Sequence, residues 1–423
     1  MVARARPSTR LLFMLACFIL GLAVISARLV YVQGLNSDRF VAMAADQRQR
    51  KIELRPQRGS VYDRNGTELA ISLDMKTIFA NPRFVGDARA YASAMAPLLG
   101  LDAGAIESKL KSKKGFVYLA RQVDPQVADK VKALKLPGID MVSDSKRFYP
   151  SDALAAHVVG FVGSDNLGLA GLEGRYNNLL AGTPGEMLME SDPQGRAIPA
   201  GNSSYKAPRA GDDLILTIDR EIQFAAEASL LKAVQTFSAK GGTIIVMKPQ
   251  TGEILAMANA PTFDPNNVKA STPEQRRNRA LIDVYEPGSA NKVITASAAI
   301  ESGAVAPKDV ISVPDTFRLG SKTFHDAHPH ATEDLTFAQV IQQSSNIGTI
   351  KVAQKLGKDR LYDYLVRFGY GKPTGLDFPG ESSGILPKVK DWWDTSMGTI
   401  PIGQGVAVTG MQIMSVFSTI ANG

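Results

Sequence analysis

Glu286-Pro287-Gly288-Ser289-Ala290-Asn291-Lys292, with the apolar run 293–300 behind it, is the stretch from which the rest of this chain can be read. Pro287 and Gly288 punctuate the entry, so Ser289 falls at or near the leading end of a helix. Ser289 and Lys292 are three residues apart and share a helix face, with Cβ atoms roughly 5–6 Å apart. A serine hydroxyl is a poor nucleophile and needs a base within hydrogen-bond reach. A lysine can be that base if burial or nearby cations keep it uncharged. The positive end of the helix favours a developing alkoxide. Ser289 is therefore the candidate nucleophile and Lys292 the candidate base.

Ser-x-x-Lys alone is a weak motif, and the chain holds others: Ser108 with Lys111, Ser143 with Lys146, Ser203 with Lys206 and Ser229 with Lys232. Context sets Ser289 apart. Downstream stands Gln343-Ser344-Ser345-Asn346-Ile347-Gly348. Thr336 and Gln339 form a capping box, with Leu335 and Val340 as its staple, so one helix is expected from Phe337 to Gln343. A second is expected from Ile347 to Leu356, closed by Gly357. Ser344 and Asn346 then lie on a tight connection, where a hydroxyl and an amide two residues apart can face one cleft. Simple helix capping is the competing explanation. Ser164-Asp165-Asn166 has the same spacing but follows a glycine and precedes Ser289, so it reads as a turn.

Further out, residues 214–218 form a strand candidate, and Asp219 can cap a helix through Ile222, Ala226, Leu230 and Ala233. Residues 243–247 and 253–257 are apolar runs joined by Pro249-Gln250-Thr251-Gly252, a hairpin signal. Helical patterns follow at 289–301, 337–356 and 359–368. Strands with segregated helices give an α+β fold. Residues 52–206 mix short β-like runs with Gly and Pro, and Gly201-Asn202-Ser203-Ser204 reads as a loop. We therefore expect a module over 33–206 and a second over 207–423. At the front, Arg4, Arg6 and Arg10 precede the uncharged residues 11–27, and the apolar pattern runs on to 32. This predicts a transmembrane anchor over 11–32 behind a cytoplasmic tail, residues 1–10, with the remainder extracytoplasmic. A cleaved signal peptide ending near Ala27 is the alternative. The polar stretch 36–51 is expected to be a helix leading away from the membrane.

A chain of 423 residues with 44% hydrophobic and 21% charged residues supports two or three packed domains and excludes a disordered or collagen-like chain. The net charge of +7 is spread along the sequence. The one short basic run, Lys109, Lys111, Lys113 and Lys114, has no interleaved aromatics, so no nucleic-acid partner is expected. Cys17 is the only cysteine, so no intrachain disulfide can form. His325, Asp326, His328 and His330 are dense in ligand types. Pro329 and the loop setting argue against a rigid metal site there, and no metal or cofactor is expected.

Ser289-x-x-Lys292 followed by Ser344-x-Asn346 is the order found in penicillin-binding proteins and serine β-lactamases. The likeness extends further. Arg58-Gly59-Ser60-Val61-Tyr62-Asp63-Arg64-Asn65-Gly66 is similar to the signature at the base of the class B N-terminal module. Arg147-Phe148-Tyr149-Pro150 with His157-Val158-Val159-Gly160 resembles a second signature, and Gly171-Leu172-Glu173 with Leu180, Gly182 and Gly185 a third. Thr251 to Ala256 and Phe263-Asp264-Pro265-Asn266 are similar to the opening of the transpeptidase domain, and Gly403-Gln404-Gly405 with Val408 and Thr409 to the segment before its last catalytic strand. The chain thus resembles the membrane-anchored class B high-molecular-weight penicillin-binding proteins over nearly its whole length, with residues 392–405 more like the division type than the elongation type.

The resemblance implies a peptidoglycan D,D-transpeptidase: an elongated α+β pedestal or dimerisation module, then a penicillin-binding domain of antiparallel sheet flanked by helices. It implies Ser289, Lys292, Ser344 and Asn346 as the catalytic set, with Ser344 and Asn346 also binding substrate. Expected partners are D-Ala-D-Ala stem peptides, β-lactams as inhibitors, a polytopic glycosyltransferase and other cell-wall synthesis proteins. The family's third element, Lys-Thr/Ser-Gly, does not occur before Gly423. The expectation is that the sequence is a C-terminally truncated, inactive piece of a longer protein. A β-lactam sensor or β-lactamase-like serine enzyme, and a division scaffold without catalysis, are the alternatives.

Overall fold

The computed structural model describes residues 7–35, 49–190 and 204–423. Residues 11–27 carry no helix breaker other than Gly21 and fall within helix α1 (Pro7–Val30). Leu11, Phe13 and Phe18 are all exposed. A helix apolar on every side is suited to lipid rather than water. The span Leu11–Gln33 is long and apolar enough to cross a membrane. Of the polar stretch 36–51, residues 36–48 lie outside the described residues, and Gln49–Leu54 is a strand rather than helix. Residues 1–6 of the expected tail and 201–203 of the expected loop also lie outside them.

Two compact units interleave along the chain. The first contains residues 1–56, 74–145 and 183–209. Its core is a layer of helices, Ala88–Leu99, Ala103–Leu110 and Pro125–Ala133, over paired strands. Asp87, Asp102 and Asp124 cap those helices through their carboxylates. Ile78, Met95, Ile106 and Leu119 are fully buried between the layers. In the same unit Gln49–Leu54 pairs antiparallel with Gly185–Glu190, which pairs with Ser204–Lys206.

The second unit contains residues 57–73, 146–182 and 210–423. Val61–Tyr62 sits between Leu214–Ile215, which runs parallel, and the antiparallel start of strand Glu68–Ala80. The three signature segments meet behind it. Glu173 is fully buried, with the Arg58 Nε 2.6 Å from Oε2 and the Arg147 Nε 2.6 Å from Oε1. Arg58 also donates to the Glu173 carbonyl and to Asn177, and Arg147 to the Gly59 carbonyl. Two guanidiniums share one carboxylate and donate further to backbone carbonyls and to the Asn177 side chain, as a buried ion pair requires, although Arg147 Nη2 is buried without a partner. Ser164 to Asn166 form the turn of a small hairpin, as expected.

The catalytic-type constellation lies in residues 210–423 of this unit. Asp219 caps α2 (Arg220–Thr236) by accepting from the Glu221 and Ile222 amides. The hairpin pairs β1 (Gly242–Met247) with β2 (Ile254–Ala260). Behind them, α3 (Lys292–Glu301), α4 (Phe337–Gln342), α5 (Asn346–Leu356), α6 (Lys358–Arg367) and α7 (Gly410–Asn422) form the helical layer. Helix α5 is buried on nearly all sides through Ile347, Ile350, Val352, Ala353 and Leu356. It is a core helix, and that makes it a rigid mount for the residues at its leading end.

Candidate active site

Residues Gly288–Asn291 form a single 3-10 turn that runs directly into α3. Gly288 has φ +57, a left-handed conformation that glycine adopts without strain. The Lys292 amide donates to the Ser289 carbonyl. In a 3-10 turn residues i and i+3 eclipse, so Ser289 and Lys292 stay on one side. Ser289 is exposed, and among the described residues its hydroxyl makes no hydrogen bond. Lys292 is 3% exposed.

The turn is held from behind by residues 400–405. The Gly288 amide donates to the Gly403 carbonyl at 3.0 Å, Asn291 Nδ2 to the Ile400 carbonyl at 2.8 Å, and Thr295 Oγ1 to the Pro401 carbonyl at 3.0 Å. Glu286 Oε1 accepts the Gly405 amide at 2.7 Å. Gly403 has φ +76, and a Cβ there would lie 2.1 Å from the Gly288 carbonyl oxygen. Only a glycine permits that approach.

The second element arrives on α4 and α5. The capping box at Thr336 and Gln339 is formed as expected, and the buried Leu335 and Val340 share one cluster. Ser345 caps α5, its Oγ accepting the Gly348 amide at 2.9 Å. Gly348 allows α4 and α5 to close up, because a Cβ there would lie 2.6 Å from a Val340 methyl. Between the helices Ser344 takes φ +57, uncommon for a residue with a side chain. That turn directs its backbone carbonyl at Lys292.

Three of the four expected residues therefore meet at one atom. Lys292 Nζ contacts the Ser344 carbonyl, Ser344 Oγ at 3.1 Å and Asn346 Oδ1 at 2.7 Å. Ser289 alone stands outside this hydrogen-bonded cluster, one turn ahead of the amine. Burial pushes the Lys292 ammonium down from 10.5 to about 8, with the Asp326 charge opposing. An amine uncharged in part at neutral pH, beside an exposed hydroxyl at a helix entrance, can take up that hydroxyl's proton.

Asp326 is the residue whose role the sequence does not disclose. It lies at the end of β3 (Lys322–His325). Its Oδ2 accepts the Ser345 hydroxyl at 2.7 Å and its Oδ1 the Ile347 amide at 2.9 Å. Asn346 Nδ2 donates to the His325 carbonyl at 2.9 Å. The His-and-Asp-rich stretch thus fastens the Ser344–Asn346 turn. Among the described residues no three His, Cys, Asp or Glu side chains are grouped to hold a metal ion.

Comparison with known proteins agrees with this architecture. The family model for the penicillin-binding protein dimerisation domain matches residues 53–216, and that for the penicillin binding protein transpeptidase domain matches residues 242–423. The peptidoglycan D,D-transpeptidase FtsI of Escherichia coli K12 is 34% identical over 98% of this chain and 71% of its own length. The crystal structure of a peptidoglycan synthetase from Bifidobacterium adolescentis superposes with TM-score 0.72 at 31% identity, covering 89% of this chain and 73% of that one. Penicillin-binding protein 3 from Mycobacterium tuberculosis, solved in complex with aztreonam, gives TM-score 0.65 at 30% identity, over 88% of this chain and 65% of that one. With a dimerisation module, a transpeptidase module and the Ser-x-x-Lys and Ser-x-Asn elements in this order on one chain, the protein belongs to the class B penicillin-binding proteins.

Proposed function

We propose that the protein is a peptidoglycan D,D-transpeptidase that cross-links stem peptides through a serine acyl-enzyme, in the cell wall of the division septum. In this reading Ser289 Oγ attacks the carbonyl of a D-Ala-D-Ala bond while Lys292 Nζ takes its proton. The Ser289 amide supplies one donor to the oxyanion. D-alanine leaves, and an ester on Ser289 remains until the amine of a neighbouring stem peptide displaces it. The Lys292 ammonium formed in that attack has three N–H bonds, which match the Ser344 carbonyl, Asn346 Oδ1 and Ser344 Oγ, and the last contact suits Ser344 to relaying the proton to the leaving amine. Asn346 holds the substrate amide. β-Lactams acylate the same serine, and no metal or cofactor enters the reaction.

The observation that carries this reading is the buried Lys292 amine, pushed down to about 8 and shared by Ser344 and Asn346, one turn behind an exposed serine. The FtsI-type relatives favour the division role. We further read residues 1–10 as cytoplasmic, 11–32 as the membrane anchor, 33–206 as the extracytoplasmic pedestal and 207–423 as the transpeptidase region, with a polytopic glycosyltransferase among its partners. The test is fluorescent-penicillin labelling of the protein at its natural length. Labelling is expected on Ser289 and is expected to vanish in Ser289→Ala. The exposed, unbonded hydroxyl makes that change nearly neutral for stability, within about 0.5 kcal/mol. Labelling that persists in Ser289→Ala refutes the assignment.

A further inference from the structure

Residues 326–330 contain a contact that the acyl-transfer reading leaves unused. His330 Nδ1 lies 2.7 Å from the Ala331 carbonyl. A carbonyl only accepts, so Nδ1 carries a proton. Nε2 lies 3.4 Å from Asp326 Oδ2, shielded from solvent and with no other hydrogen-bond partner. In a neutral ring protonated on Nδ1, Nε2 would turn a lone pair onto a carboxylate. In the imidazolium both nitrogens donate and the contact becomes an ion pair. The remaining charges around the ring agree with that state. Asp315, in the turn before strand Thr316–Leu319, accepts the His330 amide at 3.2 Å. Glu333 acts on the ring through space, and Asp326 acts in turn on Lys292 of α3.

We propose that His330 is a positioning residue for the acyl-transfer site, its protonated ring holding Asp326 against the Ser345–Ile347 turn and masking the carboxylate's charge from Lys292. The inference rests on the catalytic reading above. Asp326 already accepts from Ser345 and Ile347 on either side of Asn346. Asp326 is also the charge that draws Lys292 back toward the ammonium form. A cation on Asp326 weakens that pull, so more of the amine is uncharged near neutral pH. The hydrogen bond to Ala331, followed by Asp326 and Glu333, raises His330 above its ordinary 6.5. The ion pair is therefore complete below pH 6.5 and is lost as pH rises through the folded-state value.

The test is the second-order rate constant for acylation by a fluorescent penicillin, measured against pH. The natural-length protein is compared with His330→Gln, Asp326→Asn and the double variant. His330→Gln is expected to slow acylation about two- to fivefold near neutral pH, the gap closing on the alkaline side where the wild-type ring is also neutral. In the Asp326→Asn background the same exchange is expected to change little, because no charge remains to be masked. A slowing that is uniform across pH, or equal with and without Asp326, overturns the proposal. So does a His330 ring whose ¹⁵N shifts report a neutral imidazole at pH 6.5 in the wild-type protein. A wild-type protein that is not acylated on Ser289 removes the catalytic reading and this inference together. Acylation with a pH profile indifferent to His330 removes this inference alone.

Discussion

Acylation should follow the titration of Lys292, and its pH dependence can be worked from the structure. Burial moves the ammonium from 10.5 to about 8. That gap corresponds to a penalty of about 3 kcal/mol on the charged form in the folded protein. At pH 7 about one molecule in ten then carries the free amine, against about one in three thousand for an unshifted lysine. Below the midpoint the acylation rate should fall about tenfold per pH unit, and above it the rate should level off. The assay is the acylation rate constant for a fluorescent penicillin from about pH 6 to about pH 9.5, with Lys292→Arg as the control. A guanidinium stays charged throughout, so that variant should lose at least about a hundredfold in rate. The sign for stability is opposite to that of a salt-bridged lysine. The penalty is complete below about pH 8 and is relieved as pH rises toward 10.5, so this group makes the fold more stable over that interval. A rate flat from pH 6 to 8, or a midpoint near 10.5, would refute Lys292 as the base.

Gly403→Ala should cost more than about 2 kcal/mol in thermal unfolding, because its Cβ would strike the Gly288 carbonyl from a left-handed backbone. It should also slow acylation, since that carbonyl belongs to the turn bearing Ser289. Glu173→Gln should lower stability in urea by about 3–5 kcal/mol by leaving Arg58 and Arg147 buried without a countercharge. A loss below about 1 kcal/mol would show that water or rearrangement relieves them.

What the sequence disclosed was what short-range physics encodes. Pro287 and Gly288 announce the entry to α3, and Thr336 with Gln339 announces α4. The turn 249–252 between two apolar runs announces the β1–β2 hairpin. In each the responsible atoms lie within a few residues of one another. Asp326 reaches Ser345 across 19 residues, and Glu286 reaches Gly405 across 119. No periodicity links such pairs, since they meet only when helices already formed are packed. Arg58, Arg147 and Glu173 stood out as signature residues, yet their convergence on one buried carboxylate could not be read from spacing. The metal-like density of residues 325–330 misleads for the same reason, because which of those side chains face one another is decided by β3 and α5. Strand Gln49–Leu54, whose first three residues close the stretch 36–51 that reads as helix, owes its form to pairing with Gly185–Glu190, far along the chain.

The buried carboxylate also sets an order of events during synthesis. Arg58 leaves the ribosome 115 residues ahead of the glutamate that neutralises it. At about 5–20 residues per second, that is a delay of roughly 6–23 s. During that interval residues 74–145, with a core of their own, can collapse as an insertion. The strand ahead of them has no countercharge until Glu173 emerges. The earliest segment of the second unit is thus among its last to be locked, and a nascent-chain factor that shields basic residues has a defined window in which to act.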